Sequence, residues 1–189
     1  QDQVYKAIDL LEKNSLLVEN DLPTALKQCN LYLQDQKAFK CNMLLTNLNR
    51  IHGNTDTLNY LQIKVLLSYK EYPKALALYE EKLSDNQAIK IKQFAISLYM
   101  LNNKHEQALA IINELLKENP ANLNHQLTKS DVLIELKEFG AAELILQNVV
   151  KIQPGSLKAK FNQTQILYLQ KKYFEAQKKA EKLLTNEPN

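Results

Sequence analysis

Lys137-Glu138-Phe139-Gly140-Ala141-Ala142 and, one period later, Lys171-Lys172-Tyr173-Phe174-Glu175-Ala176 are two copies of one six-residue phrase. Lys70-Glu71-Tyr72-Pro73-Lys74-Ala75 is a third copy, and Asn103-Lys104-His105-Glu106-Gln107-Ala108 a looser fourth. Working outward, Ala108, Ala142 and Ala176 step by 34 residues, and so do Pro120, Pro154 and Pro188. Three residues before each alanine stands a ring: Tyr72, His105, Phe139 or Tyr173. Four residues after come Tyr79, Ile112, Leu146 and Ala180, with Leu115, Val149 and Leu183 three further on. Offsets of three and four place this set on one face of a helix. A small residue there lets two antiparallel helices cross closely, where a larger one would hold the backbones apart. The proline twelve residues later ends that helix, since it cannot donate to the ladder. Asn122 and Ser156 then stand where caps of the following helices are wanted. A fixed period of this length predicts stacked helical repeats.

The composition agrees. Over 189 residues, 45% are hydrophobic and 24% charged, with three glycines and no tryptophan, which suits a folded helical chain. No apolar run approaches the roughly 18 residues of a membrane span. The start lacks the basic-then-apolar layout of a leader, so the expected compartment is the cytoplasm. Because the chain begins at Gln1 without methionine, the alternative is the bacterial periplasm, or outer-membrane anchoring, after leader removal. The net charge of +3 conceals a gradient. Six acids stand against Lys6, Lys13 and Lys27 in the first 36 residues, and eight lysines against three glutamates in the last 40. A solvated surface explains this, and the gradient would also steer an acidic partner toward the C-terminal end.

The phrase and its spacing resemble the tetratricopeptide repeat, a helix-turn-helix unit of 34 residues. Ala108, Ala142 and Ala176 match the family's small residue early in the second helix, and Pro120, Pro154 and Pro188 its closing proline. Tyr99, Leu133 and Leu167 fall at the large position of the first helix. Lys92, Gln126 and Lys160 replace the usual early Trp, and Lys129-Ser130 and Gln163-Thr164 replace the early Leu–Gly pair. The resemblance implies an all-α, right-handed solenoid of antiparallel helix pairs, with repeats at 55–86, 87–121, 122–155 and 156–189 and degenerate repeats over 1–54. The whole chain is expected to form one repeat domain.

Upstream the rhythm breaks. Gln87 stands where a proline belongs, and Ala25, in a plausible turn-plus-anchor at Asn20–Ala25, precedes Ala75 by 50 residues. Either 3–17 pairs with 22–34 and 37–50 is an extra helix, or 22–34 pairs with 37–50 through Ala38. The second register is favoured, because alternating helices stack without an insertion. His52-Gly53-Asn54-Thr55-Asp56 is a break with Thr55 or Asp56 as cap, and Gly53 a possible hinge. The expected map has eleven helices: 3–17, 22–34, 37–51, 56–69, 72–84, 87–102, 105–118, 122–137, 139–152, 156–170 and 173–186.

Nothing in the chain is spaced for catalysis. His52, His105 and His125 form no ligand pair, no phosphate-binding glycine loop exists, and no serine or acid is ordered into a nucleophile with its base. No enzyme activity, metal or cofactor is expected. Cys29 and Cys41 lie at similar distances from the turn of a 22–34/37–51 hairpin, where their side chains would meet; two reduced thiols are the expected state.

The resemblance also implies a groove lined by first helices that holds a peptide. Its expected lining is Tyr60, Lys64 and Leu67; Lys90, Gln93, Ser97 and Met100; Asn124, Leu127, Asp131 and Ile134; and Lys158, Phe161, Gln165 and Tyr168. About half of these are expected to be exposed, the rest packing between repeats. The subtype that clamps chaperone C-termini is not matched, since its lysine and asparagine places read Leu127, Asp131 and Gln93. The expected function is a non-catalytic adaptor holding a protein or peptide within a larger assembly. Alternatives are the soluble repeat part of a bacterial envelope protein for secretion, pilus or polysaccharide export, and RNA binding through the C-terminal lysines. The last is disfavoured, because that region has no arginine to add to its phosphate contacts. Partner identity and oligomeric state do not follow from the residues.

Overall fold

The computed structural model describes residues 2–185, so Pro188 and the end of the 173–186 helix lie outside the described residues. Among the described residues there are twelve helices and no strands. They are α1 (Asp2–Lys13), α2 (Ser15–Asn20), α3 (Leu22–Gln34), α4 (Ala38–His52), α5 (Asp56–Ser68), α6 (Tyr72–Lys82), α7 (Ile89–Leu101), α8 (His105–Glu118), α9 (Leu123–Glu135), α10 (Phe139–Ile152), α11 (Leu157–Leu169) and α12 (Tyr173–Thr185). The chain is an α-solenoid of antiparallel helix hairpins, and it divides into two compact units, Gln1–Ile91 and Lys92–Asn189.

The twelfth helix corrects the expected map, because the 3–17 segment is two helices. At Asn14 the side-chain amide donates to the Leu10 carbonyl at 2.9 Å, while its backbone N–H bonds Leu11 rather than Leu10. The Asn14 side chain thus takes the carbonyl that its own N–H would bond in a continuous helix. Its φ of −115° and ψ of 30° record the break.

One turn recurs five times. Gln36, Lys70, Asn103, Lys137 and Lys171 all hold φ between 57° and 63°. At each, the next residue's N–H reaches the carbonyl five residues back: Lys37 to Tyr32, Glu71 to Leu66, Lys104 to Tyr99, Glu138 to Leu133 and Lys172 to Leu167. The left-handed residue itself bonds the carbonyl three back, which completes a Schellman motif at the end of each first helix. Gln36 precedes Lys70 by 34 residues, so α3–α4 carries the same hairpin as its successors. α3 packs more extensively on α4 than on α1 or α2.

That register moves the small-residue anchor. Cys41, not Ala38, stands one period before Ala75, and Ala38 takes the place of the ring. Cys41, Ala75, Ala108 and Ala142 are all fully buried. Ala25 is buried as well, but on α3, the first helix of its pair. Cys29 and Cys41 are free thiols facing one another. The hydrogen bond to Cys41, with burial, holds the Cys29 thiol well above its ordinary range.

In Gln1–Ile91 the core is a cluster that includes Ile8, Val18, Cys29, Tyr32, Leu45, Leu48, Leu58 and Val65. α1 and α2 are fastened to it by polar contacts. Glu12 accepts from the Tyr32 hydroxyl at 2.9 Å and from Lys40 at 2.8 Å, and Asn47 donates to Glu19 at 3.2 Å. In Lys92–Asn189 one cluster gathers Leu127, Ile134, Ala142, Leu146, Ala159 and Ile166, and another gathers Ile96, Ala108, Ile112 and Val132. Thr55, Asn122 and Ser156 cap α5, α9 and α11 through their side chains. Gly53 ends α4 at φ 71°, a conformation that favours glycine.

Candidate polypeptide-binding surface

Within Gln1–Ile91, α3, α5 and the start of α7 frame a hollow of about 460 Å³. α5 supplies Tyr60 and Lys64, one turn apart on the same helical face. α3 supplies Asn30, whose carbonyl oxygen accepts from the Lys64 ammonium at 3.2 Å. The same ammonium lies 5.7 Å from the Tyr60 ring centroid, a cation–π distance. Lys90 enters from α7, and on the connection before it Asn86 donates to Asp56 at 2.7 Å. Asn86 also accepts from the Ala88 N–H at 2.9 Å, which fixes the loop against the mouth of the hollow.

Three expected groove residues thus converge: Tyr60, Lys64 and Lys90. Sequence reasoning missed Asn30 and Asn86. The signal for Asn30 was its place one period before Lys64, visible only once Cys41 is taken as the anchor. Asn86 lies on a connection, where no period applies.

In Lys92–Asn189 the expected residues scatter into different roles. Leu127 and Ile134 are a correction: both are buried in the core cluster, because α11 covers the face of α9 that carries them. Asp131 binds Lys158 at 2.6 Å and accepts from Asn162 at 2.6 Å, so this group ties α9 to α11. Gln93 bonds His125 at 2.9 Å. Ser97 and Asn124 are exposed. Phe161, Gln165 and Tyr168 line a second hollow of about 480 Å³ against α12.

The first hollow offers two ammonium groups, carboxamides, one aromatic face and the Asp56 carboxylate, which Asn86 engages, a set able to bind carboxylate and peptide groups. Among the described residues no group of three or more His, Cys, Asp or Glu is arranged to hold a metal ion. Among them, too, no helix is long and apolar enough to cross a membrane.

The repeated hairpins, common turn and buried small anchors define a helical-repeat protein. Residues 99–161 match the family model of the tetratricopeptide repeat. The whole chain superposes on a tetratricopeptide repeat protein from Parabacteroides merdae ATCC 43184, with a TM-score of 0.77 and 15% identity, over 80% of that chain. It also matches YrrB, described as a TPR protein with an unusual peptide-binding site. There the TM-score is 0.65 and the identity 14%, over 97% of this chain and 93% of that one. Residues 41 to the end of MamA from Desulfovibrio magneticus RS-1 give 0.69 at 12% identity, over 85% of this chain and 92% of that one. No curated protein matches. Residues 99–161 thus carry the tetratricopeptide repeat signature, and the chain as a whole has the fold of tetratricopeptide repeat proteins. Such folds are generally protein-interaction scaffolds and typically non-catalytic.

Proposed function

We propose that the chain is an adaptor that holds a polypeptide segment bearing a carboxylate in the hollow framed by α3, α5 and α7, and so joins components of a larger assembly. The observation that carries this reading is the convergence of Lys64, Lys90, Asn30 and Tyr60 from three successive first helices on one opening. Lys64 is oriented by Asn30 and Tyr60 before any ligand arrives, which lowers the ordering penalty of binding. The carboxamides supply donors and acceptors to a peptide backbone, and the ring supplies apolar area. YrrB, whose description names a peptide-binding site, supports the idea that this fold can present one.

The test is selection of displayed random peptides on the intact chain, followed by affinity measurement of the enriched sequences. Peptides carrying Asp, Glu or a free C-terminal carboxylate should be enriched. Lys64→Glu should weaken them by about tenfold or more, since it sets like charge against the ligand. Enrichment that is indifferent to both Lys64→Glu and Lys90→Glu would remove the hollow from consideration.

A further inference from the structure

We propose that Cys29 and Cys41 form a reversible oxidation site, at which a peroxide closes a disulfide that ties α3 to α4. The repeat shows why these two side chains meet. Cys41 holds the anchor place that alanine takes at Ala75, Ala108 and Ala142, and Cys29 holds the place of Ile63, Ile96 and Ser130 on the facing helix. Both places are buried in all four hairpins. A disulfide needs Cα atoms within about 7 Å of one another. A close helix crossing supplies that, and the small anchor is what permits one. Only in α3–α4 do both places carry sulfur, and there the thiols are hydrogen-bonded to each other. They are the chain's two cysteines, so no third thiol competes for the bridge.

Burial alone raises a thiol and leaves it inert. Cys41 departs from that rule. The hydrogen bond from Cys29 holds it below its ordinary range, opposed by burial and assisted by the Lys64 ammonium. The same bond, with burial, pushes Cys29 up. Tyr32, the other titratable group that bears on the pair, is raised by burial and stays neutral. Cys41 is therefore the attacking sulfur and Cys29 the resolving one. The Cys41 thiolate attacks one oxygen of hydrogen peroxide, the O–O bond breaks, hydroxide leaves and a sulfenic acid forms. The Cys29 sulfur then attacks the Cys41 sulfur and expels the sulfenic hydroxyl, which takes up the Cys29 proton and leaves as water. The first hydroxide collects the proton that Cys41 gave up. Two thiols and one peroxide thus give one disulfide and two waters, the sulfurs losing two electrons that the peroxide gains.

Both thiols are fully buried, so the route in is local opening of the hairpin, of which a molecule near the size of water needs least. The bridge closes a short loop around the turn at Gln36 and holds α3, which supplies Asn30 to the first hollow, against α4. This chemistry does not rest on the peptide reading of that hollow: a chain that bound no peptide would close the same bridge.

The test treats the intact chain, reduced and then freed of reductant, with hydrogen peroxide and traps remaining thiols with N-ethylmaleimide in denaturant. Intact mass should show a monomer that has lost two hydrogens and takes up no maleimide, and dithiothreitol should restore both thiols. The oxidised chain should melt about 5 °C or more above the reduced one, and its α3 and α4 amides should exchange about tenfold more slowly. Cys29→Ser, the residue found at Ser130, should accumulate Cys41 sulfenic acid that dimedone captures. Cys41→Ala, the residue of the later hairpins, should capture none. Lys64→Gln should slow oxidation about threefold or more and move its pH–rate midpoint upward, because less thiolate is present at a given pH. Thiols that stay reduced in the folded chain but oxidise in urea would overturn the proposal. So would a disulfide confined to dimers, an oxidised chain that melts no higher than the reduced one, or no dimedone capture in Cys29→Ser. An unmoved pH midpoint in Lys64→Gln would overturn the part given to Lys64.

Discussion

Ala142 is fully buried at the crossing of α9 and α10, with Leu146 and Val149 stacked below it on the same face. Replacing it with leucine adds three carbons where two backbones approach. Overpacking of this kind costs about 1–3 kcal/mol. Ala142→Leu should therefore lower the thermal midpoint followed by far-UV circular dichroism, and an unmoved midpoint would contradict a close crossing at this residue. The same place in α4 holds Cys41, a small hydrophobe that fits where alanine does. The anchors after residue 70 were legible because alanine repeats at them. Cys41 was hidden because the pattern conserves size rather than residue type. The five left-handed turns were hidden for a related reason: none has the glycine that usually announces such a conformation.

At the scale of elements, the attachment of α1 depends on pH through Glu12. The hydrogen bond from Lys40 holds the Glu12 carboxyl below its ordinary value of 4.5, opposed by burial and assisted by the Tyr32 hydroxyl. A carboxylate depressed on folding contributes stability above its unfolded value and loses it as pH falls through the folded one. The side chain is 36% exposed, so the contribution is no more than about 1 kcal/mol. Between about pH 7 and pH 3.5 the thermal midpoint of the parent should fall further than that of Glu12→Gln, because other carboxylates titrate alike in both. Equal falls would show that Glu12 does not hold the element. Helices α3 to α12 were legible from periodicity and caps, whereas the break at Asn14 has no glycine or proline to announce it. The candidate hollow was half legible for the same reason. Tyr60, Lys64 and Lys90 lie on helices with a readable period, while Asn86 lies on a connection that has none.

At the scale of the molecule, a stack of hairpins has no single centre, and each helix is as stable as the neighbours that cover it. Within Lys92–Asn189, α9 and α10 are packed between α8 and α11, and both bury several large apolar side chains. α12 packs on α11 and buries only Ala176 completely. Opening α12 therefore exposes little apolar surface, whereas opening α9 breaks contacts on both sides. Backbone amides of α12 should exchange with deuterium at least about 100-fold faster than those of α9 and α10, a gap of about 2.7 kcal/mol at 1.36 kcal/mol per decade. Uniform exchange from α8 through α12 would contradict the stacked, neighbour-by-neighbour account of stability.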